Sequence, residues 1–324
     1  MAAQTGAALR YEPVEEESSF ARDVIAGLSA RPKRLSPKYF YDEVGAKLFE
    51  QITALPEYYP TRCELDLLRD RAPDLARFFP PASALIEFGS GSSKKVRILL
   101  AAAPTIAAYV PVDISSEMLV QEAEDLRRDY PQLAVLPVEA DFTRPFSLPA
   151  AAAGVAHVGF FPGSTIGNFE PHEACSFLRH AGRMLGRGAT LIIGIDLVKD
   201  SRILNAAYND KAGITARFNL NLLARINREL DADFDLRAFK HYVRYDEEMG
   251  RVEVYIESLR AQAVRISKLD LNIHLAAGER IHTENSYKYD LEGLSKLARA
   301  TGFTRERTWL DKGERFSSNL FLAT

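Results

Sequence analysis

Twelve residues, Ala84–Lys95 (ALIEFGSGSSKK), limit what this chain can fold into more than any other stretch. A short apolar run, Leu85 and Ile86, climbs to Glu87 and Phe88 and then breaks into Gly89-Ser90-Gly91-Ser92-Ser93. Apolar residues resume at Val96, Ile98, Leu99 and Leu100 in a helical rhythm. Buried strand, glycine turn and helix start form the first βα unit of an open α/β sheet, where ligands bind at the carboxyl ends of the strands. Glycines at such a turn let the backbone approach a ligand where a Cβ would collide. Lys94 stands where the dinucleotide fingerprint has its third glycine, so a pyrophosphate is not the natural guest. The acid ahead of the loop, Glu87, fits a cationic or ribose-bearing ligand better than a polyphosphate.

The following units narrow the ligand. Ala108–Ser115 reads as a second strand carrying Asp113 at its end, about 20 residues past Gly89, where an acid grips ribose hydroxyls. Ser115-Ser116-Glu117 then caps a helix through Leu126. A third strand, Ala134–Val138, leads to Glu139-Ala140-Asp141-Phe142. That places Asp141 to accept from an adenine amino group and Phe142 to cover the ring. Each acid alone serves as readily as a helix cap. The set at successive strand ends favours S-adenosylmethionine over NAD, whose enzymes do not usually need the second acid. A fourth strand, His157–Phe161, breaks at Pro162–Phe169, where Gly163 and Gly167 permit an irregular loop and Asn168 offers both a donor and an acceptor. A helix (Glu173–Leu185) and a fifth strand (Ala189–Ile195) ending in Asp196 complete the alternation.

After Asp196 the rhythm changes. Residues 199–230 read as helices broken at Gly213; His241–Tyr245, Val252–Leu259 and Ala263–Ile266 read as antiparallel strands, with a hairpin turn over 246–250. A helix (Leu291–Ala300) and strands near Arg305–Leu310 and Asn319–Ala323 return to the sheet. Two domains are therefore expected: residues 63–198 with 288–324, and a composite α+β domain of 11–62 with 199–287, closing over the sheet's edge. Within the latter, Val44, Leu48, Phe49 and Ile52 mark an amphipathic helix. Tyr58 and Tyr59 lie between Pro56 and Pro60, on backbone expected to be non-helical. Helix resumes over Glu64–Arg71. Residues 1–10 read as a disordered tail without an apolar signal segment.

A formal charge of −3 offers no basic surface for nucleic acid or anionic membrane. The two cysteines, Cys63 and Cys175, lack metal or redox spacing, and the six histidines show none either, so no metal is expected. A cytoplasmic monomer acting on a small molecule is the expectation.

Several long stretches then point one way: FYDEVGAKLFEQITALPEYYPTR, EFGSGSSKK, FFPGSTIGNF, GIDLVKD, AAYNDKAGITARFN, NRELDADFDL and IHTENSYKY. From about Arg31 onward the chain resembles the histidine-specific S-adenosylmethionine methyltransferase family. Its best-known members convert L-histidine to the Nα-trimethyl betaine hercynine on the way to ergothioneine. The resemblance implies a Rossmann-like catalytic sheet with a second, composite substrate-binding domain. It implies cofactor contacts at Gly89, Lys95, Asp113, Asp141 and Phe142. It sets the amino-acid carboxylate against Asn168 and Tyr208, and the amine near Tyr41, Gly163 and Thr215 with Phe218 close by. The imidazole would meet Tyr58, Glu284 and Ser286. Tyr41 would orient the amine; no general base is assigned. Val254 departs from the methionine of familiar members and enlarges the pocket, which keeps open an alternative aromatic substrate such as tryptophan or tyrosine. A non-catalytic binding subunit of the same fold is a further alternative, disfavoured by the retained Asp113, Asp141, Asn168 and Tyr208.

Overall fold

The computed structural model describes residues 16–114 and 116–324. The expected tail over residues 1–10 and the capping residue Ser115 lie outside them. By backbone contacts the chain divides into two units. Among the described residues, Pro60–Val198 with Tyr289–Thr324 makes one, and those from 16 to 59 with Lys199–Lys288 make the other.

The order of elements begins with α1 (Glu16–Ser29), α2 (Glu43–Thr53) and α3 (Tyr59–Ala76). The helix α3 starts five residues before the expected Glu64, so Tyr59 is helical and only Tyr58 precedes it. The reason is Pro60: in a first helical turn its missing N–H is not needed and its fixed φ suits the helix. Next come β1 (Ala84–Phe88), α4 (Lys94–Ala102), β2 (Ala108–Asp113) and α5 (Ser116–Asp129). The single third strand expected over 134–138 is two short pieces, β3 (Ala134–Val135) and β4 (Val138–Glu139), both paired to β2. Pro137 between them has no N–H to give the ladder. The alternation continues with β5 (His157–Phe161), α6 (Pro171–Leu185) and β6 (Thr190–Asp196).

The second unit then supplies α7 (Ser201–Tyr208), α8 (Ile214–Leu230), β7 (Phe239–Asp246), β8 (Arg251–Ser258), β9 (Gln262–Ile266), β10 (Leu271–Leu275) and β11 (Arg280–Tyr287). Strand β10 was not anticipated, although Leu271, Ile273 and Leu275 alternate as a half-buried strand should. Last are α9 (Leu291–Ala300), β12 (Phe303–Leu310) and β13 (Phe316–Ala323).

In the first unit the strands run in the order β12-β13-β6-β5-β1-β2-β3, with β13 antiparallel to its neighbours. Side chains alternate between two cores. Ile86, Phe88, Val110, Val112, Leu191 and Ile193 pack with Phe177 and Leu178 of α6 and Leu294 of α9. Leu85, Tyr109, Val158, Phe160 and Ile192 pack with Leu68 and Leu75 of α3 and Leu99 of α4. With both faces covered, β1 and β6 are buried along their whole length, which is why they read as mainly apolar runs, with Glu87 and Asp196 as the buried charged exceptions. The ends at Gly89, Asp113, Asp141 and Gly163 remain partly accessible.

In the second unit α8 lays Phe218, Leu222, Leu223 and Ile226 on a core shared with Ile256 of β8 and Ile281 of β11. The β11-β8-β7 sheet has one irregularity that matters. Ile281 faces Ile256 and His282 faces Tyr255, but the next partner of Val254 is Glu284. Thr283 is an extra residue, a β-bulge, fully buried and donating its hydroxyl to Asn219 Oδ1 at 2.8 Å. The bulge reverses the alternation, so Glu284 and Ser286 share the helix-covered face with Val254 and Val252.

Gly45, in the first turn of α2, yields a prediction. A Cβ there would lie 1.7 Å from the Phe40 carbonyl oxygen. In an open helix Gly→Ala stabilises by about 1 kcal/mol. Here Gly45→Ala is expected to destabilise, by about 1–3 kcal/mol through overpacking. Urea unfolding checks it; a variant as stable as the parent would refute the close packing.

Candidate functional site

The loops after β1, β2, β4 and β5 carry the residues expected to hold the cofactor. Gly89 has φ +74°, a conformation that L side chains avoid, and a Cβ on it would come within 3.3 Å of the Phe142 ring. The Gly91 N–H donates to Asp113 Oδ2 at 3.2 Å, so the glycine turn and the end of β2 form one rim. Phe142 is half-buried against Phe161, Phe169 and Phe177, with ring centroids 5.8, 6.4 and 5.9 Å away. Asp141 accepts from the backbone N–H and the hydroxyl of Thr143, which fixes its carboxylate beside that ring. Gly89, Asp113, Asp141 and Phe142 thus lie on adjoining loops: a hydroxyl-binding acid, a second acid and an aromatic face around a backbone with no Cβ. This donor set fits an adenosine.

Lys95 has a different neighbour from the one expected. Its ammonium lies 2.5 Å from Glu64 Oε2, a carboxylate that is 2% exposed. The same carboxylate accepts from the N–H of Gly163 at 2.9 and 3.0 Å. Gly194 makes room for it, since a Cβ there would sit 2.1 Å from Glu64 Oε1. Ser164 follows with φ +57° and accepts from the Asp196 N–H at 2.9 Å. Glu64 therefore ties α3, α4 and the loop after β5 together and sets the position of Gly163, with half-buried Asn168 closing the next helical turn. Sequence reasoning missed Glu64, which sits 99 residues from Gly163. Glu87, read as a ligand-facing acid, is 1% exposed and accepts from the Tyr109 hydroxyl at 2.5 Å. Burial pushes its carboxyl up to about 8, against the pull of Tyr109 and Lys95.

The second unit brings the remaining expected residues together. Asp42, next to Tyr41, caps α2 through the Gly45 N–H at 2.7 Å and accepts from Asn221 of α8 at 2.8 Å. Tyr41 is thereby held against α8, its ring centroid 5.7 Å from Phe218 and 5.5 Å from Phe49. Phe49 is 6.2 Å from Tyr58, and Tyr58 is 6.3 Å from Tyr208. These rings form a continuous aromatic wall. Thr215 stands one turn before Phe218, and Asp210 accepts from its N–H at 2.8 Å. Tyr208 donates to Ser286 Oγ at 2.7 Å, across from Val254 and Glu284. His241 steadies the end of α7: its Nε2 lies 2.8 Å from the Tyr208 carbonyl and its Nδ1 2.9 Å from Asn219 Nδ2. Burial lowers its pKa below 6.5, as suits a neutral ring donating at Nε2 and accepting at Nδ1.

A buried ammonium joins this cluster. Lys288, only 6% exposed, donates to Ser286 Oγ at 2.6 Å and to the Tyr208 hydroxyl at 3.1 Å. The period-2 line Glu284, Ser286, Lys288 was a usable signal. No cluster of three or more potential metal ligands occurs among the described residues.

A family model described as histidine-specific methyltransferase, SAM-dependent, matches residues 20–323. Histidine N-alpha-methyltransferase of Mycobacterium tuberculosis is 41% identical over 302 residues, covering 92% of this chain and 93% of the relative. Ergothioneine biosynthesis protein 1 of Neurospora crassa is 31% identical over 290 residues, 86% of this chain but 32% of that longer protein. At greater distance, 4-dimethylallyltryptophan N-methyltransferase of Claviceps purpurea is 24% identical over 322 residues, covering 92% of this chain and 93% of the relative.

Glu64 and Glu87, both buried in the first unit, behave differently when perturbed. Lys95→Met strands the Glu64 charge and is expected to cost about 3–5 kcal/mol, while adding Glu64→Gln restores part of it. Denaturant unfolding of both variants decides; a single variant no weaker than the double would refute the pairing. For Glu87, the folded state keeps a proton that the unfolded chain, titrating near 4.5, has lost. Stability therefore falls as pH rises from about 4.5 towards 8, by roughly 1 kcal/mol per unit, and levels beyond. Glu87→Gln lacks that slope and should gain on the parent across the window, as unfolding at pH about 5, 7 and 9 would show. A constant difference would refute the raised carboxyl.

Proposed function

The chain belongs to the histidine-specific, SAM-dependent methyltransferase family, and from that premise we propose that it methylates the α-amine of L-histidine. Successive transfers would end at the Nα-trimethyl betaine. The observation that carries the reading is the bulge in β11, which turns Glu284 and Ser286 onto the covered face beside Tyr208 and the aromatic wall. Glu284 can accept the N–H of an imidazole, and Ser286 can complete the ring's hydrogen bonding. A site built on such bonds rejects rings that lack the partners by about 10⁴-fold or more in favourable cases.

When bound, S-adenosylmethionine supplies a sulfonium methyl that is already activated. The chain's residues then have four tasks. Gly89, Asp113, Asp141 and Phe142 would hold the adenosine, with Lys95 acting through Glu64 on the loop that carries Gly163. Asn168 would hold the carboxylate with a neutral donor, beside Tyr208, whose own proton goes to Ser286. Tyr41, Gly163 and Thr215 would orient the amine, which must attack unprotonated. Tyr41 and Phe218 would face the growing ammonium, where cation–π attraction favours the methylated nitrogen by about 0.5–2 kcal/mol.

Val254 opposite Glu284 leaves more room than methionine, and the Claviceps relative is named for a substituted tryptophan. A bulkier aromatic amino acid is thus the second reading; Glu284 and Ser286 favour imidazole. A reducing, cytoplasmic setting fits the two free cysteines. Among the described residues, no helix is long and apolar enough to cross a membrane.

Mass spectrometry of a histidine reaction over time is expected to show mono-, di- and trimethyl products in turn, with tryptophan and tyrosine far slower. Glu284→Ala should lower kcat/KM for histidine by about 100-fold or more while S-adenosylmethionine affinity stays within about threefold. Equal losses of both would contradict the role given to Glu284.

A further inference from the structure

We propose that Lys288 is a specificity-determining positioning residue, which together with Tyr208 leaves the Ser286 hydroxyl able to act toward the substrate ring only as a hydrogen-bond donor. The inference rests on the histidine reading above and adds to it the reason an imidazole is singled out. Lys288 donates to Ser286 Oγ at 2.6 Å and to the Tyr208 hydroxyl at 3.1 Å, and Tyr208 in turn donates to Ser286 at 2.7 Å. A serine hydroxyl has two lone pairs and one proton. Both lone pairs of Ser286 are filled from within the protein, so its proton is what it has left to offer. This follows from Tyr208 donating the mutual bond: its proton fills one acceptor position of Ser286, and an ammonium that can only donate fills the other.

Glu284 lies two residues away on the same face of β11, about 6.6 Å along the strand. An ionised carboxylate only accepts. The ring that satisfies this pair of neighbours must carry one N–H for Glu284 and one lone pair for Ser286. Neutral imidazole has both on separate nitrogens. An indole has the N–H alone, and a phenyl or thienyl ring has neither. Without the lysine, Ser286 could rotate to accept, and the demand for a ring lone pair would relax.

The test is a double-mutant cycle on Lys288→Met and Ser286→Ala, with Lys288→Arg as the conservative variant. Calorimetry in the presence of S-adenosylhomocysteine gives the affinities for L-histidine and for β-(2-thienyl)-L-alanine, an isosteric ring without nitrogen; steady-state kinetics gives KM and kcat. Lys288→Met is expected to weaken histidine about tenfold or more, mainly in KM, and to leave the thienyl analogue and S-adenosylhomocysteine within about twofold. Lys288→Arg should recover part of the loss. In the Ser286→Ala background the lysine change should cost histidine little further, because it acts through that hydroxyl. Parallel losses for both amino acids, or additive losses in the cycle, would overturn the proposal. If Lys288→Met does not fold, Ser286→Ala alone must lower the preference for histidine over the analogue, and an unchanged preference counts against it. A parent enzyme that does not methylate histidine would refute the function itself; one that does, with selectivity intact in the variants, refutes only this inference.

Discussion

One extra residue in one strand governs the acceptor side of this protein. Strand side chains alternate with period two, so the face of Glu284 depends on how many residues separate it from the core residue Ile281. In a regular ladder Glu284 would share the outer face with His282 and Tyr255. The bulge at Thr283 moves Glu284, Ser286 and, past the strand end, Lys288 to the face roofed by α7 and α8. A bulge has its own cost, an unpaired residue with polar groups to satisfy. Here the Thr283 hydroxyl bonds to Asn219 and approaches the Val254 carbonyl, and Asn219 also reaches His241 and the Tyr255 carbonyl. The irregularity is thus held by the same helix that carries Thr215 and Phe218.

The first unit solves a different problem, that of placing charge in a sheet covered on both faces. Glu64 and Glu87 are each 1% exposed, yet they are accommodated in opposite ways. Glu64 stays near an ammonium and two N–H contacts from Gly163, which makes it a strut for the loop after β5. Glu87 has a phenol for its near partner and is driven by burial towards its neutral form. A protonated acid at the end of β1 changes the field beneath the glycine turn.

What could be read from the sequence follows from how local each cause is. The βα alternation was legible because burial on both faces writes continuous apolar runs, and the loop after β5 because its glycines cluster. The break at Pro137 is hidden by the apolar run around it, and the helical start at Tyr59 by the habit of proline as an interrupter; what proline does depends on whether a ladder or a first turn surrounds it. The bulge leaves no mark in the composition of β11. Glu64 and Lys288 work through partners 99 and 80 residues away, which no spacing rule reaches.

The acceptor residues divide the substrate's demands between two kinds of surface. On the proposed reading, polar groups of fixed sense, Glu284 accepting and the Ser286 hydroxyl donating, would face the ring, whose composition never changes during the reaction. The aromatic faces of Tyr41 and Phe218 would stand where the nitrogen gains methyls and changes shape with each transfer. Directional bonds would have to be broken and remade as protons leave such a nitrogen, whereas the attraction between a ring face and a cation needs no particular hydrogen. Selectivity and repeated transfer therefore make no conflicting claims on one set of atoms. A larger pocket at Val254 can alter which rings enter without altering how many methyls the amine accepts.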